Sequence, residues 1–178
     1  MSKTKWMTIL GVIAFVSTIY LVLGVRSGEE LFIDEALKTI VLAIFTESSH
    51  SFFGVVTELG DTLGIAIVAT LMLIWLWFKK RDYLGMVILL VSVGFGNEIN
   101  KWIKDLVGRE RPVTAELAES LSFPSGHAMV GLILYVVGSY LIINHINSVK
   151  LKWGIGILSV LIILIIGLSR IVLQDHFP

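Results

Sequence analysis

The chain has 178 residues, 56% of them hydrophobic and 16% charged, with a mean hydropathy of +0.88. A soluble domain carries about a quarter charged residues, so this composition excludes an ordinary soluble globular protein. Fourteen acidic and 14 basic residues cancel, which gives no sign of nucleic-acid binding, and the lack of cysteine excludes disulfides and thiolate chemistry while leaving the redox compartment undetermined.

The apolar residues fall in blocks long enough to cross a bilayer, which takes about 20 residues at ~1.5 Å per residue. The first block, residues 6–25, follows Lys3 and Lys5 as a signal peptide would. Its apolar run exceeds the usual ~7–15 residues and no small-residue cleavage pattern follows, so it reads as a retained span. Residues 31–45 are also apolar but are interrupted by Asp34, Glu35 and Lys38. That pattern predicts an amphipathic helix lying on the membrane or packed over a bundle. Four further spans are expected over residues 60–78, 83–103, 126–144 and 153–169. The expected fold is an all-α polytopic membrane helix bundle, a single domain over residues 1–178 with five visible spans. Trp6, Trp75, Trp77, Trp102 and Trp153 all lie near span ends, as an interfacial belt requires.

Basic residues set the orientation. Lys3, Lys5, Lys79, Lys80, Arg81, Lys150 and Lys152 fall on one side, opposed there by Asp82, so that side is expected to be cytoplasmic. The other side receives residues 26–59, which are acidic, residues 104–125, and the tail after Ser169. Lys101, Lys104, Arg109 and Arg111 crowd onto that second side against the rule. Cations placed where topology disfavours them suggest that an anion binds there.

Three short stretches share this face: K-x6-R-P from Lys104 through Arg111, P-S-G-H from Pro124 to His127, and S-R-x5-H from Ser169 to His176. Lys104, Arg111 and Arg170 are three cations, and arginine presents a planar fork that matches phosphate oxygens. Ser125 and Gly126 open a helix, whose unpaired N–H groups and dipole form an anion site that Gly126 lets a ligand approach closely. Of the two imidazoles, one can attack phosphorus while the other protonates the leaving oxygen. The fixed cations would hold transition-state charge, so the scheme needs no metal and no cofactor.

This set of motifs resembles that of the type 2 phosphatidic acid phosphatase, or lipid phosphate phosphatase, superfamily, in order, spacing and sidedness. The resemblance implies a six-helix membrane bundle with its site at the outer face of the cell membrane. It implies that Lys104, Arg111 and Arg170, helped by Ser125 and Gly126, hold the phosphate. His127 would be the general acid and His176 the nucleophile that forms a phosphohistidine. The expected partners are membrane lipids and a lipid phosphate substrate: phosphatidylglycerol phosphate, phosphatidic acid or undecaprenyl pyrophosphate. The family carries an orienting Asp four residues beyond the nucleophile, and the sequence stops at Pro178 before that position. Asp175 is a poor substitute, and the chain is expected to lack its C-terminal span.

Other polar residues have plainer expectations. Asn97, Glu98 and Asn100 read as a network bracing Lys104 or Arg111, and Arg109 and Glu110 as a local pair. Glu58 and Asp61 either pair with the basic cluster or face the interface, and His50 and His145 have interfacial or loop roles. The alternative function is a non-catalytic membrane protein that binds anionic lipid or phosphate through the same cations. A small transporter is disfavoured, because the spans show no mid-membrane pair of ionisable residues and no inverted repeat.

Overall fold

The computed structural model describes residues 3–26, 32–110 and 121–174. The described residues are helical, without strands. Helix α1 covers Lys3–Arg26, α2 Phe32–Ile44, α3 His50–Thr57, α4 Thr62–Lys80, α5 Tyr83–Val107, α6 Gly126–Asn144 and α7 Val149–Val172. Short 3-10 turns at Glu47–Ser49 and Glu58–Gly60 flank α3.

By length and composition α4, α5, α6 and α7 can each cross a membrane; the pair Asp34–Ile44 and Glu47–Gly60, bent by 82°, makes a fifth crossing if taken as one broken span. Exposed apolar side chains cover these helices, Phe78 at 78% and Leu84 at 71% among them, as expected where lipid rather than water is the solvent. The protein is thus an all-α, multi-span membrane bundle. The segment expected as the first span is helical, as α1, but its apolar stretch Gly11–Val25 is shorter than a full crossing; α1 is largely exposed and touches the bundle along α5.

Local chemistry sets the helix ends. Ser125 and Ser148 cap α6 and α7, accepting from Ala128 N at 3.5 Å and Leu151 N at 3.4 Å. Asp82 caps α5 by accepting from Gly85 N at 2.8 Å. Helix α7 begins four residues before the expected residue 153, because Ser148 starts it and the stems of Lys150 and Lys152 can lie along an apolar helix end.

Two clusters hold the bundle. Ile65, Leu76, Leu89, Val130, Leu134 and Leu141 join α4, α5 and α6. Gly138 lets α6 approach α4 closely, since a Cβ there would collide with Met72 Sδ. The second cluster, Val41, Phe53 and Val172, seats α2 and α3 on the far end of α7, with Phe45 and Phe53 stacked edge-to-face at 5.0 Å. The amphipathic helix α2 therefore packs over the bundle, one of its two expected placements.

Candidate functional site

At one end of the bundle the start of α4, the last turns of α5 and the start of α6 line a cleft of about 620 Å³. Its walls include Lys104, Gly126 and His127, three of the residues singled out from sequence, together with Gly60, Asp61, Asn97, Asn100 and Lys101. Away from the helix ends the lining turns apolar, with Ile65, Ala66, Ala69, Val93 and Val130. The cleft is open rather than enclosed and lies between membrane-crossing helices. An amphiphile can therefore place its polar end at the rim and its chains along the walls.

Each side chain is brought there by its own helix. Ser125, extended at φ −65° and ψ 122°, starts α6, which brings the helix N-terminus at Gly126 to the wall of the cleft. Asn100 of α5, itself buried, donates through Nδ2 to Pro124 O at 3.3 Å and fixes the turn that leads into α6. The expected bracing network thus acts on the Pro-Ser-Gly-His turn, while Asn97 and Lys101 both contact Glu98, at 3.4 and 2.7 Å.

His127 has a side chain 19% exposed, and its Nε2 stands 3.7 Å from Asp61 Oδ1. Asp61 was expected to pair with the basic cluster or face the interface; its partner is instead the His127 imidazole. This proximity depends on Gly60. A Cβ there would lie 2.7 Å from Ile166 Cγ2 and 3.1 Å from His127 Cβ, so the 3-10 turn fits between α6 and α7 only without a side chain. Tyr135 of α6 donates to Leu59 O at 3.0 Å and holds the same turn.

Arg170 is 4% exposed on α7, and its Nη1 donates to Thr57 Oγ1 at 2.9 Å. Ser169 is fully buried and donates back to Ile166 O at 2.6 Å. One short segment, from Thr57 to Asp61, therefore touches Arg170 and Ile166 on α7 and His127 on α6. Sequence reasoning missed Thr57 and Gly60. The available signal was faint: a Gly-Asp pair just before an apolar run.

Arg109 was expected to pair locally, yet its Nη2 meets Asp34 Oδ2 of α2 at 2.5 Å, with side chains 12% and 4% exposed. Ser122 closes the loop between α5 and α6 by donating to Glu110 O at 2.7 Å and through its N–H to Arg109 O at 2.8 Å. Arg111 and His176 lie outside the described residues. His145 takes a loop role at the opposite end, 2.6 Å from Asp82 Oδ2.

This arrangement assembles a cation, a helix N-terminus and an imidazole over an apolar cleft. A model described as the PAP2 superfamily matches residues 85–178, just over half of the chain, and that stretch contains all three motifs. The chain belongs to the PAP2 superfamily. It is 30% identical over 149 residues to phosphatidylglycerophosphatase B of Bacillus subtilis (strain 168), a match covering 81% of this chain and 72% of that protein. The fold is similar to the crystal structure of a transmembrane PAP2-type phosphatidylglycerolphosphate phosphatase from Bacillus subtilis. That likeness has a TM-score of 0.77 at 25% identity and covers 91% of this chain and 84% of that one. The chain is accordingly a multi-span membrane phosphatase of the PAP2 type, a hydrolase acting on phosphate esters.

Proposed function

We propose that this PAP2 protein removes the terminal phosphate of a membrane lipid, phosphatidylglycerol phosphate first among the candidates, through a phosphohistidine. The observation that carries the reading is the cleft itself, in which Lys104, Gly126 and His127 meet above apolar walls. The two Bacillus subtilis relatives, both named for phosphatidylglycerol phosphate, favour that lipid over phosphatidic acid and undecaprenyl pyrophosphate.

In this mechanism Lys104, Arg111 and Arg170 hold the phosphate oxygens, with N–H groups at Ser125 and Gly126 beneath them. The His176 imidazole nitrogen attacks phosphorus, the bond from phosphorus to the lipid oxygen breaks, and His127 gives its proton to that oxygen. Water then attacks the phosphohistidine, His127 takes the proton back, and inorganic phosphate leaves. The fixed cations neutralise the charge that spreads over the equatorial oxygens, so no metal is called for. Residues 1–178 act as one phosphatase domain in the cell membrane.

The test is phosphate release from phosphatidylglycerol phosphate by purified full chain in detergent with a chelator present. Release that survives chelation and disappears in His176→Ala supports the mechanism. Equal release from both proteins, or a strict need for a divalent metal, sinks it. Binding of the lipid without any turnover would instead favour a non-catalytic lipid binder.

The excess of basic residues at Lys79 and Arg81, and at Lys150 and Lys152, argues for that end being cytoplasmic and the cleft opening on the outer face. A cysteine at Thr114 should then react with an impermeant thiol reagent on intact cells, and one at Arg81 should not. The reverse labelling would place the cleft inside.

A further inference from the structure

The cleft-facing stripe of α5 runs Gly94, Asn97, Lys101, Lys104, a spacing that keeps all four on one side of the helix. At ~1.5 Å per residue Lys101 stands about 4.5 Å, and Asn97 about 10 Å, from Lys104 along the axis toward the middle of the bundle. Past them the walls are apolar, with Ala66 and Ala69 facing across from α4. The cleft therefore has three levels: a rim for the reacting phosphate, a second polar level at Lys101 and Asn97, and an apolar floor.

The phosphohistidine mechanism has no use for that second level. Fold stability does not account for it either. Lys101 and Glu98 form a 2.7 Å ion pair with side chains 60% and 67% exposed, a class of pair that adds little to stability. Glu98 lies outside the cleft lining and contacts both polar groups of the level, Lys101 Nζ at 2.7 Å and Asn97 Nδ2 at 3.4 Å, through one oxygen. An ammonium has three donors, so Lys101 can keep Glu98 and still give a hydrogen bond to a ligand.

We propose that Lys101, positioned by Glu98 and assisted by Asn97, binds the bridging phosphodiester of a glycerolipid whose terminal phosphate is removed at the rim. The proposal rests on the reading of Lys104 and His127 as the phosphate end of the cleft. A lipid with two phosphates joined by glycerol places an anionic oxygen at the second level when its terminal phosphate reaches the rim. A lipid with one phosphate on diacylglycerol places uncharged ester groups there, and Lys101 gains no partner. The residue thus selects glycerol-bridged bisphosphate lipids over monophosphate lipids.

The experiment compares kcat/KM for phosphatidylglycerol phosphate and phosphatidic acid of equal acyl composition, using purified full chain in mixed micelles. Lys101→Gln should lower the ratio of the two values on the order of tenfold, the size of a lost charge-assisted hydrogen bond, and Lys101→Arg should recover part of it. A second arm uses wild-type protein and a methyl phosphotriester analogue of the bisphosphate lipid, whose bridging phosphate is neutral. Wild type should turn the analogue over less efficiently by a similar factor. An unchanged ratio in Lys101→Gln, or equal wild-type efficiency on lipid and triester, overturns the subsite while leaving the phosphatase reading intact. Wild-type protein that releases phosphate from neither natural lipid brings down both.

Discussion

Thr57 Oγ1 accepts a 2.9 Å hydrogen bond from Arg170 Nη1 across 113 positions of sequence. The contact ties the end of α3, which carries no motif, to the cation of the third motif. Arg170 is nearly enclosed, so its guanidinium has few routes by which to find another orientation. Thr57→Val keeps the shape of the side chain and removes the acceptor. A hydrogen bond to a charged group contributes ~1.5–3 kcal/mol. The expected result is a loss in kcat/KM for lipid phosphate on the order of tenfold or more, with Thr57→Ser retaining most of the wild-type value. A Thr57→Val protein as active as wild type would show that Arg170 does not depend on this partner.

Gly60 is the neighbouring constraint. A methyl group there meets Ile166 at 2.7 Å and the His127 β-carbon at 3.1 Å. Gly60→Ala must push the 3-10 turn away from α6 and α7, at a cost of about 1–3 kcal/mol for overpacking. Turnover should fall because Asp61 and His127 separate, and thermal unfolding should move to lower temperature. Gly54→Ala in α3 is the control: nothing lies within 4 Å of its added carbon. In a helix interior that change is worth about 0.5–1 kcal/mol in favour of alanine, so its unfolding temperature should rise or hold.

The Arg109–Asp34 pair predicts a different signature. Asp34 is buried and Arg109 is 12% exposed, and removing Arg109 takes from the enclosed Asp34 carboxylate its cation, which costs about 3–5 kcal/mol. Asp34→Ala and Arg109→Ala should each destabilise the chain strongly, and the double variant should be less unstable than the sum of the two. Equilibrium unfolding in detergent across this cycle measures the coupling. Additive losses would mean that the two residues act separately, and that α2 is held to the loop after α5 by its apolar face alone.

How much of this was legible in the sequence follows from the range of the forces involved. The spans were legible because hydropathy and length are local properties, and α4, α5, α6 and α7 fall close to their expected positions. The meeting of Lys104, Gly126 and His127 was legible because each sits at a helix end that topology places on one face. The partners of Arg109 and Arg170 were not legible. Asp34 lies 75 positions from Arg109, and neither its neighbours nor its spacing distinguish it from Glu35. Thr57 is chosen by how α3 seats against α7 through Phe53 and Val172, a packing outcome with no periodic signal in eight residues. Asn100 was identified as part of a bracing network, yet what it braces, the carbonyl of Pro124, depends on the crossing of α5 and α6.

A last prediction concerns the opposite end, where Asp82 caps α5 and meets His145 at 2.6 Å. The Gly85 N–H that Asp82 accepts, and then its hydrogen bond to His145, hold its carboxyl below the ordinary 3.8. Because the folded value is the lower one, the unfolded chain binds more protons between the two values, and stability rises with pH across that interval. The contribution is therefore complete above 3.8 and is lost as pH falls through the folded value. Asp82→Asn removes it. Unfolding temperatures of wild type and Asp82→Asn, measured in detergent as a function of pH, should differ by a constant amount near neutrality, and the difference should shrink once pH drops below 3.8. Curves that stay parallel through the acid range would show that Asp82 has no titration-linked role. Phosphate release should change little in this variant, since the cap lies at the far end of α5 from Lys104.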